Sequence, residues 1–188
     1  MKQRILAVDD ELHMLKLLER IITEKTPYEI LTTNNSLEVP GLLEQGVFDL
    51  IITDLKMPGL DGIDILRRIK EEGRPEEVII ITAFASLESA LEAFSLGVFH
   101  YLTKPFKKEQ IICTVDRAMQ WQSLKQEGMR MREILLREPF EEARRAFEQE
   151  YLHCLAKRCG GDPEVMTQRS GLTPEVIAGN LKPPARNL

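Results

Sequence analysis

The chain of 188 residues lacks features that would place it among secreted or membrane proteins. Its three cysteines, Cys113, Cys154 and Cys159, form an odd set without a C-x-x-C pair, which favours reduced thiols. No apolar run is long enough to span a membrane, and the first predicted strand begins too near the N-terminus to leave room for a signal peptide. We therefore expect a cytoplasmic protein that does not contact a membrane.

Histidine metal sites and nucleotide-binding loops are also missing. His13, His100 and His153 are scattered and share no ligand spacing. No glycine-rich segment resembles a phosphate-binding P-loop, so we expect no nucleotide-binding domain of that type.

Charge is divided unevenly along the chain. Residues 1–106 carry 11 Lys/Arg and 18 Asp/Glu, whereas residues 107–188 carry 14 and 12. The acidic first part suits a cation site. The mildly basic second part permits nucleic-acid binding but is far from a strong electrostatic footprint.

The first part of the chain alternates short apolar runs with amphipathic segments. This alternation predicts an α/β fold in which helices cover both faces of a parallel sheet through right-handed crossovers. A flavodoxin-like (βα)5 doubly wound sheet of order 2-1-3-4-5 is the economical choice, followed by a small all-α C-terminal module. The predicted strands are Arg4–Val8, Glu29–Thr33, Leu50–Asp54, Val78–Thr82 and Phe99–Leu102, and the predicted helices cover about 11–25, 37–45, 63–72, 86–96 and the residues from 107 onward.

Two of these helices have readable apolar faces. The first should present an apolar face to the sheet, and the fifth should do the same. The expected members are Leu12, Leu15, Leu18 and Ile22 in the first helix, and Ile111, Val115, Ala118, Met119 and Trp121 in the fifth.

Polar side chains follow four of the predicted strands. Asp9-Asp10 comes after the first strand, Asp54 ends the third, Thr82-Ala83 ends the fourth and Lys104 follows the fifth. Because the carboxyl ends of parallel strands share one edge, three carboxylates, a hydroxyl and a lysine should converge there. The alternative is that the aspartates merely cap the first helix and that Lys104 is an ordinary surface residue.

The ordered set Asp9-Asp10, Asp54, Thr82-Ala83, Tyr101 and Lys104-Pro105 resembles the receiver domain of two-component response regulators, over about residues 1–121. The resemblance implies that a sensor histidine kinase phosphorylates Asp54. It also implies a phosphoacceptor with slow self-dephosphorylation and not an enzyme of multiple turnover. A phosphatase-like hydrolase with an aspartyl nucleophile is the competing class, and Lys104-Pro105 argues against it.

The resemblance also implies a Mg²⁺ site. Asp10 and Asp54 would ligate the ion directly, Asp9 through a water molecule, and Lys56 through its backbone carbonyl. Hard divalent cations prefer such oxygen ligands.

Phosphoryl binding and signalling would use the remaining residues of the set. Lys104, Thr82 and Ala83 would bind the phosphoryl oxygens, and Pro105 would follow a cis peptide bond. Thr82 and Tyr101 would form the switch that alters the surface of the fourth helix and fifth strand, unless Tyr101 is only a half-buried aromatic. Lys56 lies two residues after Asp54, and Phe84 lies two residues after Thr82. Neither offers an acid that could activate water, so self-hydrolysis should be slow.

Beyond residue 121 the pattern is helical. Residues 122–138 form either a solvated helical linker or a short coiled coil that joins two copies. In 139–188, Phe140, Ala143, Phe147, Tyr151 and Leu155 fall on one helical face. Asp162-Pro163 and Thr173-Pro174 are cap-plus-proline signatures that begin two further short helices.

Five short motifs between residues 139 and 182 resemble the Fis-type DNA-binding domain that ends many enhancer-binding response regulators, whose ATPase domain this sequence lacks. Thr173, Asn180 and Lys182 are the candidate DNA contacts of this degenerate helix-turn-helix. The last predicted helix, however, contains no Lys or Arg. Transcription regulation by a homodimer formed on phosphorylation and signalling through protein contacts alone therefore both remain open. The motifs are Pro139-Phe140-x-Glu142-Ala143, Phe147-Glu148-x-x-Tyr151-Leu152, Gly161-Asp162, Gly171-Leu172 and Leu181-Lys182.

Overall fold

The computed structural model describes residues 2–137 and 139–180 of the chain. The chain divides into two compact units, Met1–Leu124 and Lys125–Leu188. None of the helices within the described ranges combines the length and the apolar character that crossing a membrane requires.

The first unit contains a five-stranded parallel sheet of order β2-β1-β3-β4-β5, which confirms the predicted fold class. Helix α5 continues without a break past the end of this unit and ends at Leu135, within the predicted linker 122–138. The elements are β1 Arg4–Val8, α1 Leu12–Lys25, β2 Glu29–Thr33, a 3-10 turn Ser36–Glu38, α2 Val39–Gln45, β3 Leu50–Thr53, α3 Gly62–Glu71, β4 Glu77–Thr82, α4 Leu87–Ser95, β5 His100–Thr103 and α5 Lys108–Leu135.

The sheet is buried on both faces, so the interior residues of its central strands are apolar and do not alternate with polar residues. In β1, Ile5 and Ala7 belong to the core with α1 and α5, whereas Leu6 and Val8 belong to the core with α2 and α3. The parallel register aligns the last residues of β1 and β3, and it aligns Thr82 with Thr103 at the ends of β4 and β5. This register brings the polar residues that follow the strands to one edge.

The predicted helix faces were wrong at two residues. Leu12 is exposed, since it lies in the first turn of α1 at the end nearest the polar edge, and Ile21 is buried. Trp121 is 51% exposed, and Gln122 is fully buried in its place. Residue 122 continues the buried face of α5 because it follows Val115 by seven residues, whereas residue 121 is rotated by about 100° from it.

The second unit contains the end of α5 together with α6 Phe140–Arg158, α7 Pro163–Ser170 and α8 Pro174–Asn180. Its small core consists of Leu152, Leu155, Met166 and Ile177. Asp162 caps α7, because its Oδ1 accepts hydrogen bonds from the backbone N–H groups of Glu164 and Val165. Gly171 ends α7 with a φ of 69°, in the left-handed region that favours glycine.

The predicted apolar face of α6 is mostly not the buried one. Phe140, Phe147 and Tyr151 are 75%, 45% and 41% exposed, and only Leu155 of the expected face enters the core. The core instead uses Leu152, which the prediction left out. The buried and exposed apolar faces of α6 are therefore adjacent, and the periodicity alone did not distinguish them.

Candidate functional site

Asp54 lies at the polar edge of the sheet, directly after β3. Its backbone N–H donates to the carbonyl of Val8 over 2.9 Å, which extends the pairing of β1 and β3 by one residue. Its carboxylate is buried, and Oδ2 accepts a hydrogen bond from the N–H of Lys56 over 3.1 Å. The strand and the following turn together hold this carboxylate in one orientation.

Gly62, the first residue of α3, packs directly against the backbone of Asp54 and Leu55. A β-carbon at this position would overlap the carbonyl oxygen of Asp54 and would lie 3.1 Å from the Cα of Leu55. The N–H of Gly62 also donates to the carbonyl of Leu55 over 3.0 Å. Because residue 62 has no side chain, the start of α3 can pack closely against the backbone of Asp54.

Asp9 is the second buried carboxylate of the site. Its Oδ1 accepts a hydrogen bond from the N–H of Glu11 over 2.9 Å, and its Oδ2 accepts one from Nζ of Lys104 over 2.8 Å. Asp10, the next residue, is exposed. The two adjacent aspartates therefore differ in environment, and the residue pattern alone did not predict which one is buried.

Lys104 joins the two buried carboxylates. Its Nζ, in a side chain only 10% exposed, lies 2.8 Å from Asp9 Oδ2 and 3.3 Å from Asp54 Oδ1. Glu11 Oε1, which the sequence did not single out, lies 3.7 Å from the same nitrogen. The backbone N–H of Lys104 donates to the carbonyl of Thr82 over 2.8 Å, and the peptide bond to Pro105 is cis.

Burial and charge act together on these groups. Burial raises the pKa of Asp9 above its usual value, and the hydrogen bond from Lys104 offsets this only in part. Burial alone would lower the pKa of Lys104, but its hydrogen bond to Asp9 and the nearby carboxylates outweigh this and raise it. The site therefore favours a bound cation while one of its carboxylates remains costly to ionise.

Thr82 ends β4 and is fully buried. Its hydroxyl oxygen accepts a hydrogen bond from the N–H of Phe84 over 3.0 Å, which closes the turn after the strand. Ala83 and Phe84 themselves are exposed. The hydroxyl is thus at the polar edge but is engaged with the loop.

Tyr101 is half-buried on β5 and packs against the core that α3 covers. Its hydroxyl lies 3.0 Å from Oγ of Ser89, and either group can donate. Ser89 belongs to the capping box that Ser86 forms at the start of α4. Sequence reasoning missed Ser89, although the S-x-x-S spacing of a capping box could have identified it.

The carboxylates fit a hard divalent cation only in part. Oδ1 of Asp54 is buried, is near Lys104 but accepts no well-directed hydrogen bond, and so keeps capacity for another ligand. Within residues 2–137 and 139–180, no three acidic, histidine or cysteine side chains form a ready metal cage. Mg²⁺ usually takes one or two carboxylates and retains several waters, so Asp9, Asp54 and the Lys56 carbonyl remain suitable ligands, and the exposed Asp10 beside them stays a predicted one.

The candidate DNA contacts lie in the second unit, away from these residues in sequence. Thr173 is exposed just before α8, and Asn180 is described by its backbone alone. Lys182 lies outside the described residues. Glu175 stands in the first turn of α8, and its last turn has no basic residue.

Comparison with known proteins identifies the first unit. Residues 5–116 match the family model of the response regulator receiver domain. The chain belongs to this family. It is 33% identical over 132 residues to the regulatory protein AtoC of Escherichia coli strain K12, covering 70% of this chain and 28% of that protein. It is 36% identical over 112 residues to the DNA-binding transcriptional regulator NtrC of Klebsiella pneumoniae, covering 60% and 24%.

Solved structures of receiver domains agree with this assignment. A response regulator receiver domain protein from Clostridium thermocellum shares 34% identity with a TM-score of 0.60, covering 65% of this chain and 98% of that one. The beryllofluoride-activated NtrC4 receiver domain dimer shares 31% with a TM-score of 0.59, covering 63% and 98%. The chain spans about a quarter of the length of the curated relatives described above.

Proposed function

We propose that this receiver accepts a phosphoryl group on Asp54 from a sensor histidine kinase and thereby controls an output delivered by the C-terminal helices. The observation that supports this most directly is the bridge that Lys104 makes between two buried carboxylates at the end of a parallel sheet. A lysine so placed can stabilise negative charge that arrives next to Asp54.

Phosphoryl transfer depends almost entirely on positioning and charge neutralisation. A carboxylate oxygen of Asp54 would form the new bond to phosphorus while the bond to the donor breaks, and the bonding electrons leave with the donor. Lys104 would hold one phosphoryl oxygen, and the hydroxyl of Thr82 would exchange its contact with Phe84 N–H for another. A Mg²⁺ held by Asp9, Asp10, Asp54 and the Lys56 carbonyl would neutralise the repulsion between the two anions.

Labelling by acetyl phosphate tests this proposal. The wild-type protein with Mg²⁺ should gain one phosphoryl group per chain, observed as a mass increase by intact mass spectrometry. Asp54→Asn should gain none, because the amide is not a nucleophile. Asp116→Asn, which removes a carboxylate outside the site, is the matched control and should label normally. Undiminished labelling of Asp54→Asn would refute the assignment.

The lifetime of the label distinguishes a signalling protein from a hydrolase. Lys56 and Phe84 are exposed beside the site, and neither is an acid or base suited to activate water. The phosphoryl group should therefore persist well beyond seconds, without multiple turnover of acetyl phosphate. Loss within seconds would contradict this expectation.

The form of the output has two candidates. Similarity over the receiver to NtrC, a DNA-binding transcriptional regulator, favours regulation of transcription. The acidic start of α8 and its lack of Lys or Arg favour contacts with protein, because phosphate contacts dominate affinity for DNA. Selection from genomic fragments at near-physiological salt, with and without beryllofluoride, separates the two. Enrichment of a palindromic site would establish DNA binding, and no enrichment in either state would favour protein docking.

A further inference from the structure

Ser36 links two loops at the polar edge of the sheet that the residue pattern did not connect. It begins the 3-10 turn after β2 and is only 2% exposed. Its hydroxyl donates a hydrogen bond to the carbonyl of Pro58 over 2.7 Å and accepts one from the N–H of Leu60 over 2.9 Å. Both partners lie between β3 and α3, in the segment 54–61 that begins with Asp54. One buried hydroxyl therefore fastens this 54–61 loop to the turn after β2.

The turn that carries Ser36 is itself fixed to the sheet. Thr33, the last residue of β2, pairs with Val8 of β1. The hydroxyl of Thr33 donates to Oε2 of Glu38 over 2.7 Å and accepts from the N–H of Asn35 over 3.2 Å. These two bonds hold the turn on both sides of the serine. The sheet therefore determines where the Ser36 hydroxyl lies.

Gly59 lets the 54–61 loop approach this turn closely. Its φ is 88°, in the left-handed region that favours glycine. A β-carbon at residue 59 would lie 2.9 Å from Cγ of Leu37 and 3.1 Å from the hydroxyl oxygen of Ser36. The two hydrogen bonds of Ser36 therefore depend on a glycine at the residue between their partners.

Lys56 lies between the two points at which the loop is held. On one side, its own N–H donates to Oδ2 of Asp54 over 3.1 Å. On the other side, Ser36 holds the carbonyl of Pro58. The proline ring fixes one backbone torsion of its own residue and restricts Met57 to extended conformations. Few torsions are left that could turn the peptide bond after Lys56, so the carbonyl of Lys56 is held in one direction.

We propose that Ser36 is a positioning residue, which acts on the Mg²⁺ site beside Asp54 through the carbonyl of Lys56. This inference rests on the proposed function, because it takes that carbonyl as a cation ligand. A ligand that is held in place before the cation arrives loses less conformational freedom when it binds. Residues that orient metal ligands typically account for about 10–100-fold in metal affinity or activity. Because the carbonyl is one of several proposed ligands, we expect the lower end of that range for Ser36.

Magnesium titration of the full chain tests the proposal without a phosphoryl donor. Ser36→Ala should raise the dissociation constant for Mg²⁺ about tenfold, measured from the NMR shift of the Lys56 N–H. In the same variant, the N–H of Leu60 should exchange with solvent at least about tenfold faster, because it loses its acceptor. Labelling of Asp54 by acetyl phosphate should be slow at low Mg²⁺ and should approach the wild-type rate at saturating Mg²⁺. A purely structural role for the serine predicts no such dependence.

Thr26→Ala is the matched control. The hydroxyl of Thr26 also donates one hydrogen bond, to the carbonyl of Ile22 over 2.8 Å, and accepts one, from the N–H of Tyr28 over 3.4 Å. It lies between α1 and the start of β2, at the edge of the sheet opposite to Asp54. Its loss should therefore lower stability without changing Mg²⁺ binding.

Gly59→Ala is a second test of the same contact. The new methyl group should push the 54–61 loop away from the turn while the Ser36 hydroxyl is kept. Mg²⁺ binding should therefore weaken as it does in Ser36→Ala. This variant tests the inference even where Ser36→Ala folds poorly.

The possible results separate this inference from the proposed function. If the wild type binds Mg²⁺ and labels, wild-type Mg²⁺ affinity in both Ser36→Ala and Gly59→Ala would refute the role of Ser36 alone. An equal loss of Mg²⁺ affinity in Thr26→Ala would also refute it, because the effect would then follow from stability and not from position. A wild type that neither binds Mg²⁺ nor labels would overturn the proposed function and this inference with it.

Discussion

Replacing Lys104 by Met would test how the polar edge is held together. Methionine keeps most of the aliphatic stem but removes the ammonium group that lies 2.8 Å from Asp9 Oδ2 and 3.3 Å from Asp54 Oδ1. Both carboxylates are buried, so neither can turn to water without a local rearrangement. We expect the variant to remain folded but to be clearly less stable than the wild type.

The magnitude follows from the partners that remain. Breaking a buried ion pair by removing one partner costs about 3–5 kcal/mol, because the other charge stays buried. Asp9, whose pKa is already raised by burial with the lysine in place, can reduce this cost by taking up a proton. We therefore expect a loss of about 3 kcal/mol at neutral pH, at the lower end of that range, or a urea midpoint lower by about 2 M.

The loss should depend on pH and on Mg²⁺. A folded-state pKa raised above the unfolded value means that the ionised form destabilises the fold, so the deficit should shrink as pH falls through that raised pKa. A divalent cation should replace part of the lost charge. An ion at one hundred times its dissociation constant adds about 2.7 kcal/mol, and this gain should be larger in the variant than in the wild type, where the lysine competes.

Urea unfolding followed by the fluorescence of Trp121, the only tryptophan, provides the assay. It should be run with excess chelator and with Mg²⁺, at pH 7 and at about pH 5. Lys107→Met removes a neighbouring exposed charge and should change the midpoint little. A loss below about 1 kcal/mol for Lys104→Met, or equal gains from Mg²⁺ in both proteins, would refute the reasoning.

Three further predictions concern other parts of the receiver. Gly62→Ala should destabilise it by more than 1 kcal/mol and slow labelling of Asp54, because the new methyl group meets the acceptor's carbonyl; labelling at wild-type rate would contradict this. Gln122→Met should stabilise the fold by about 1 kcal/mol in urea unfolding, since both amide atoms are buried without a partner within the described ranges. A loss of stability in this variant would contradict the expectation, because it would mean that the amide does form a stabilising hydrogen bond. Burial and Asp116 raise the pKa of Tyr28 to about 12, so one tyrosine should titrate late in near-ultraviolet absorbance, and Tyr28→Phe should abolish that step. The stability that this tyrosine contributes is complete below pH 10 and is lost as pH rises towards 12.

The sheet could be predicted from the sequence because each of its strands is short, apolar and bounded by turn residues. Its order and the position of Asp54 follow from the rules for parallel sheets. The buried faces of the helices could be predicted less reliably. Gln122 is polar and Trp121 apolar, so hydrophobicity favoured residue 121, whereas the geometry of α5 required residue 122. A hydrophobic pattern cannot predict that a polar side chain such as Gln122 is buried.

The residues of the site could be named from the sequence, but their environments could not. Asp9 and Asp10 are identical side chains one residue apart, and because successive side chains of an extended segment point in opposite directions, one is buried and the other exposed. The link between Tyr101 and Ser89 depends on how α4 packs beside β5, which is a tertiary contact. In the second unit, similarly, the periodicity of α6 predicted one apolar face, whereas the packing of α7 and α8 buries a neighbouring face that includes Leu152.

The same geometry also explains how Asp54, the proposed acceptor, can be both held and reactive. Lys104 gives its short hydrogen bond to Asp9 and lies 3.3 Å from Asp54, so the acceptor gains the field of the cation without losing a lone pair to it. The other oxygen of Asp54 is fixed by the N–H of Lys56, which leaves Oδ1 as the oxygen with free acceptor capacity. Asp9 is thus as important to the proposed reactivity of Asp54 as the lysine, because its hydrogen bond holds the ammonium group beside Oδ1.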